Sequence, residues 1–241
     1  MNKTLSLLFL LIVLSLSACA AQETASPTLA PATQTTAPAA TTQAPTEVPP
    51  TQVEPTPALA QYTHTAFGFS FAYPSGWFGP DEYVVEQTLR VAVGSDVVYP
   101  YGTSREEQIY TIPNSYYVVI QYTQNDQIQV WNDTYQALAN LQDGESISDA
   151  RSLTIRVRQL TLGRFTGFEY IATPSESAQT EPFYARQVIL MDPQTNDLLT
   201  VMGSPNNVDL SGGVDWRQAY QAIDKANQTI FEQLVESINI E

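Results

Sequence analysis

From Ala20 to Ala60 the chain carries no aromatic, no glycine and no basic side chain, and of these 41 residues 11 are alanine, 10 threonine and 8 proline. Such a segment cannot bury enough apolar surface to offset the entropy of ordering it. It is expected to stay extended and solvated. Held in polyproline II it would reach at most roughly 130 Å, and as a flexible coil about 35 Å. Threonine and proline at this density also permit O-glycosylation, although a bare spacer needs nothing more. Folding is thereby confined to residues 61–241. That is one domain's worth, able to bury about 70 % of its unfolded surface.

Ahead of the tether, residues 1–18 have the tripartite pattern of an export signal. Lys3 precedes a run of ten almost wholly apolar residues, Leu5 to Leu14, and small residues follow. The run is short for a hydrocarbon span of roughly 30 Å. Leu16-Ser17-Ala18-Cys19 then resembles the bacterial lipobox, which implies that the Cys19 thiol is lipidated and becomes the mature N-terminus. Ala18-Cys19-Ala20 also satisfies the rule for ordinary signal cleavage. Cys19 is the only cysteine in 241 residues, so the folded part has neither a disulfide nor a thiolate nucleophile. A diacylglyceryl anchor, as the resemblance implies, carries at least two acyl chains, and two suffice for stable attachment. The expected organisation is signal peptide 1–18, lipidated Cys19 with a tether through residue 60, and one globular domain over 61–241. The expected address is the extracytoplasmic side of a bacterial envelope membrane.

The formal charge of −15 opposes binding to nucleic acid, whose affinity for proteins comes chiefly from cations that displace counterions. Anionic headgroups would repel the domain as well, leaving lipid and tether to hold it near the bilayer.

Within the domain, Phe67, Phe69, Phe71 and Tyr73 alternate with Gly68, Ser70 and Ala72. This period of two predicts a strand with one aromatic face and one nearly bare face, which would let another layer approach. Tyr73-Pro74-Ser75-Gly76 suits a type I turn that returns Trp77 toward the sheet. Further strands are expected over Tyr83–Val93, Tyr116–Tyr122, Ser152–Leu162, Phe165–Ala172, Phe183–Met191 and Leu198–Met202, with a hairpin turn over Asp192–Asp197. Few crossover helices intervene, so the sheet should be largely antiparallel. One helix is predicted over Ile128–Leu141. A second carries Trp216, Tyr220, Ile223, Ile230, Phe231, Leu234 and Ile238 at three- and four-residue steps, with Asp215 as N-cap.

An aromatic strand running into "YPSGW", a β-rich middle and a last amphipathic helix ending "FEQLVESI" together resemble the PsbP-like superfamily, including envelope proteins of the DcrB and LpqN type. The resemblance spans about residues 62 to 239 and implies an α+β fold, an α/β/α sandwich around an antiparallel sheet. Phe69, Tyr73, Pro74, Trp77 and Phe231 carry over as structural counterparts only. The photosynthetic role of the best-known member does not transfer.

Motifs for chemistry are sparse. His64 is the only histidine, so a histidine zinc cage is excluded. Gly68-Phe69-Ser70-Phe71-Ala72 lacks the last glycine of a nucleophile elbow and lies inside a strand. Neither a dinucleotide fingerprint nor a phosphate-binding loop occurs, so no cofactor is expected. Asp143-Gly144-Glu145 with Asp149, and Asp192 with Asp197, could offer oxygens to calcium but lack the EF-hand spacing and read equally well as turns. The irregular stretch from Tyr99 through Asn114 is long for a connection and holds Tyr99, Tyr101 and Tyr110. It is the candidate partner-binding loop, since tyrosine gives broad contact area at low entropic cost. The same rings could instead cover a sheet edge. The leading expectation is a monomeric, non-enzymatic, membrane-tethered module that binds an envelope protein or a small ligand. A hydrolase working through paired carboxylates and a purely structural envelope protein are the alternatives.

Overall fold

The computed structural model describes residues 58–178 and 181–241. The expected signal peptide, the lipidated Cys19 and the tether through residue 57 lie outside the described residues. In chain order the first strands are β1 (Leu59–His64), β2 (Phe69–Pro74), β3 (Phe78–Val85), β4 (Thr88–Gly94) and β5 (Ser115–Thr123). Helix α1 (Asn132–Ala139) follows, then β6 (Ser146–Ser148), β7 (Ser152–Leu162), β8 (Phe165–Pro174), β9 (Ala185–Asp192) and β10 (Asp197–Asn206). The chain closes with α2 (Trp216–Glu236) and β11 (Asn239–Ile240). The first strand opens at Leu59, two residues ahead of the expected boundary.

Eight strands form one sheet in the order β3-β4-β5-β10-β9-β8-β7-β6, and β1-β2-β11 form a second. Every pairing is antiparallel. The mixed α+β class with a largely antiparallel sheet is therefore as expected. Side chains alternate along a strand, so Val188 and Leu190 of β9 join Leu89, Val91 and Val93 of β4 in one core. Ile189 of the same strand joins Phe168, Tyr170 and Leu198 in another, on the opposite face. Helix α2 and the small sheet cover the first face, and Leu138 of α1 covers part of the second.

The aromatic alternation makes the first core. Phe69, Phe71 and Tyr73 are 1 %, 0 % and 9 % exposed and share that core with Phe231, Leu234 and Val235 of α2. Full burial of each such side chain is worth about 1.5–3 kcal/mol. Asp215 caps α2 as expected, accepting from the Gln218 amide at 3.1 Å. Helix and sheet approach closely at Gly203, where a Cβ would stand 2.3 Å from the Tyr116 hydroxyl and 2.7 Å from the Phe231 ring.

Several local readings need correction. The turn after β2 runs from Pro74 to Trp77, closed by the Trp77 amide on the Pro74 carbonyl at 3.0 Å, one residue later than expected. Trp77 does return to the first core. The small residues of β2 are half-buried, and the C-terminus joins β2 along its edge: β11 pairs Asn239 with Ser70, and the Ala72 amide donates to Ser237 Oγ at 2.8 Å. The single strand expected over Tyr83–Val93 is a hairpin, with Val85 paired to Thr88 and Glu86 at φ 51°. A glutamate in that conformation carries none of the Asn-Gly signal on which hairpin reading depends. Helix α1 begins four residues later than expected, because Asp126 Oδ1 accepts from the amides of Ile128 and Gln129 and holds them in a turn. Strand β10 continues past Met202 through Pro205; its pairing with β9 stops at Gly203, so the proline lies where β10 has one neighbour instead of two.

Candidate functional site

Helix α1 has eight residues and packs on β8 and β9, through Leu138 and Tyr135. The rest of that sheet face, over β4, β5 and β10, is left to the long connection between β4 and β5. A cleft of about 700 Å³ lies there, within the usual range for small-molecule sites. Its floor comes from residues one step out of phase with the opposite core: Arg90 and Ala92 of β4, Tyr117 and Val119 of β5, and Ser204 of β10.

The β4–β5 loop forms the wall and is held by its own polar groups. Buried Asp96 accepts from the amides of Val97, Thr111 and Ile112 at 2.7–2.8 Å and from the Thr111 hydroxyl at 3.0 Å. Burial acts to raise its pKa, but the donors from Ile112, Val97 and Thr111 outweigh it and the net shift is downward. The Tyr99 hydroxyl donates to the Ile109 carbonyl at 2.5 Å and accepts from the Ile109 amide at 2.7 Å. Tyr110 meets Tyr99 edge to face at 5.6 Å and donates to Gln108 Oε1 at 2.6 Å. Asn207 beyond β10 donates to the Ile112 carbonyl at 3.0 Å, tying the loop to the sheet.

Of the three expected loop tyrosines, Tyr99 and Tyr110 line this cleft and Tyr101 does not. Tyr101 lies outward, 57 % exposed, its ring 4.7 Å from that of Tyr83 on β3. Its other contact is the Arg90 guanidinium, 4.7 Å above the ring centre. Tyr116, Tyr117, Phe183 and Tyr220 also belong to the aromatic lining. Burial raises the phenol pKa of Tyr110, Tyr117 and Tyr220, so all three are neutral hydrogen-bonding groups at neutral pH.

Two arginines border the cleft. Arg105 is paired with Glu181 at 2.6 Å, both side chains exposed at the rim. Arg90 is half-buried on the floor and has no carboxylate within ion-pair distance among the described residues. Burial lowers its pKa, against the influence of Tyr101 and Asp81. Asp81 itself keeps one buried oxygen, Oδ2, without a hydrogen-bond partner.

The other residues considered from sequence have structural positions. His64 caps a short helical turn, its Nδ1 accepting from the Phe67 amide at 3.3 Å. Ser70 lies within β2. Asp192 and Asp197, considered for calcium, hold Arg164 between them at 2.7 and 3.1 Å, so a guanidinium stands where a metal ion was considered. Asp143 pairs with Arg156 at 2.9 Å, and Asp149 accepts from the amides of Arg151 and Ser152. Among the described residues no group of three or more acidic, histidine or cysteine side chains is placed to hold a metal ion.

Sequence reading missed a buried ionic chain beneath α2. Arg186 clasps Asp224 through two bonds, at 3.0 and 2.7 Å, and donates to Glu169 at 2.5 Å. Glu169 also accepts from Arg158 at 2.6 Å. Glu169, Arg186 and Asp224 are 0 %, 5 % and 2 % exposed. Burial works against the charge on Arg186, yet Asp224 and Glu169 together raise its pKa. One signal was present: Asp224 stands four residues after Tyr220 and seven before Phe231, on the apolar stripe of the helix. An acid there needs a buried cation.

No protein-family model matches this sequence, and no curated protein matches it at a significant level.

Proposed function

We propose that this chain is a lipid-anchored, extracytoplasmic binding module that acts without catalysis and as a monomer, its ligand held in the cleft between the β4–β5 loop and the sheet. The observation that carries this reading is the convergence of Tyr99, Tyr110 and Tyr117 on one preformed cleft of about 700 Å³. The loop is internally bonded, so little ordering entropy opposes binding. The expected lipid on Cys19 and the Ala/Thr/Pro tether would keep the cleft near the membrane but free of it. A PsbP-like domain of the DcrB and LpqN type is the fold reading that goes with this. It is supported by helices on opposite faces of an antiparallel sheet and by Phe69, Tyr73 and Phe231 sharing a core.

The hydrolase alternative needs two carboxyls about 5–10 Å apart. Among the described residues one carboxylate lines the cleft, Asp96, and its oxygens are occupied by four donors. The purely structural alternative leaves the cleft without a purpose.

The test is a screen of neutral sugars, amino acids and organic acids at millimolar concentration against the full-length protein in detergent, read by thermal shift and then by amide chemical-shift mapping. Shifts centred on Tyr99, Tyr110 and Tyr117 are expected. Absence of any hit, or hits mapping elsewhere, contradicts the reading.

A further inference from the structure

The cleft says something about the charge of what enters it. The domain is acidic, and five of its arginines (Arg105, Arg156, Arg158, Arg164 and Arg186) are spent on carboxylates. Arg90 is not. It projects from β4, one strand in from the edge of the sheet, onto the cleft floor, half-buried; its guanidinium rests on the Tyr101 ring 4.7 Å away, and Asp81 of β3 acts on it without forming an ion pair. A partly desolvated guanidinium with open donors is unfavourable in the empty protein and becomes favourable when a planar anion supplies acceptors in its fork. Arg105 at the rim is neutralised by Glu181, so Arg90 is the cation left to the cleft, and the lining carboxylate, Asp96, has its acceptors filled from within the loop. The remaining walls combine aromatic rings and aliphatic side chains with Ser204, Gln108 and Asn206 between them. Rings supply flat contact, and the polar side chains supply neutral hydrogen bonds.

Resting on the binding reading above, we infer that the cleft takes a small ring-bearing carboxylate: its acid group is received by Arg90, and its ring lies against Tyr99, Tyr110 and Tyr117. An acidic sugar and an aromatic acid share this chemistry. Tyr101, outside the cleft, is a positioning residue: its ring supports the guanidinium from the side away from the ligand.

The experiment uses matched pairs on the full-length protein, glucuronate against glucose and phenylacetate against phenylacetamide, by calorimetry and chemical-shift mapping. Binding of an acid in preference to its neutral partner is expected, weakening as salt is raised. Whichever pair shows it identifies the sugar or the aromatic source. Arg90→Gln should weaken acid binding by about tenfold to a hundredfold and shrink the preference for acid over neutral partner. Arg90→Lys should recover only part, since an ammonium lacks the planar fork. Equal binding of acid and neutral partner overturns the inference and leaves the cleft reading standing. Acid binding that survives Arg90→Gln undiminished removes Arg90 from the role. If neither acids nor neutral partners bind, cleft and inference fall together. The wild-type pairs decide the charge question even should the Arg90 variant fold poorly.

Discussion

The two faces of the large sheet treat an arginine in opposite ways. Under α2, Arg186 has every neighbour it needs: two bonds to Asp224, one to Glu169, and a position 5 % exposed. Under the β4–β5 loop, Arg90 has an aromatic ring and, among the described residues, no acid within ion-pair distance, with Asp81 of β3 acting on it from farther off. Both guanidiniums project from the same sheet, so the difference lies in what covers each face. A long helix with a carboxylate on its apolar stripe closes one side, while a two-turn helix and a loop leave the other partly open. The first arrangement fixes the fold, since a satisfied buried network tolerates few alternatives. The second leaves an unmet electrostatic demand, which is what a ligand answers.

Substitutions break the comparison in order of size. Asp224→Ala strands Arg186 in the interior and should cost about 3–5 kcal/mol in denaturant unfolding. Phe231→Ala should cost a similar 3–5 kcal/mol by opening a cavity in the core beside it. A change under about 1 kcal/mol in either would mean that α2 is not packed as described. Gly203→Ala should cost about 1–3 kcal/mol, because the added methyl meets Tyr116 and the Phe231 ring. Arg90→Gln, on the open face, removes the contact with the Tyr101 ring but no ion pair, and should cost no more than about 1 kcal/mol.

A pH effect sharpens the same contrast. The Asp96 pKa is lowered from the ordinary 3.8 by donors that exist only in the folded loop. Its contribution is therefore present in full above that ordinary value and is lost as pH falls through the lower folded-state value. Amide exchange at Val97, Thr111 and Ile112 should accelerate in that acid range before the α2 amides respond. Simultaneous loss would show that the loop has no separate stability.

Much of the closed face was legible in sequence. Phe69, Phe71 and Tyr73 at period two, and Phe231 and Leu234 at helical spacing, announce burial by themselves, because periodicity is a local property. The ionic chain was not legible. It joins Glu169, Arg186 and Asp224 from β8, β9 and α2, and only strand pairing brings them together. Of the cleft, loop length and composition pointed to Tyr99 and Tyr110. The same signal placed Tyr101 with them, although its ring packs outward on Tyr83. Arg90 looked like one polar step between Leu89 and Val91; that no acid among the described residues pairs with it depends on strands and a loop distant in sequence. The hairpin at Glu86 and the delayed start of α1 were hidden for another reason. A positive φ at glutamate and an aspartate-capped turn are tolerated by tertiary context without the usual turn residues.

Arginine modification with phenylglyoxal in the native full-length protein, followed site by site by peptide mass spectrometry, compares the two faces most directly. Arg90 should react early and Arg186 only on unfolding. Early reaction of Arg186, or an Arg90 as resistant as Arg186, would contradict the division of the molecule into a closed ionic face and an open binding one.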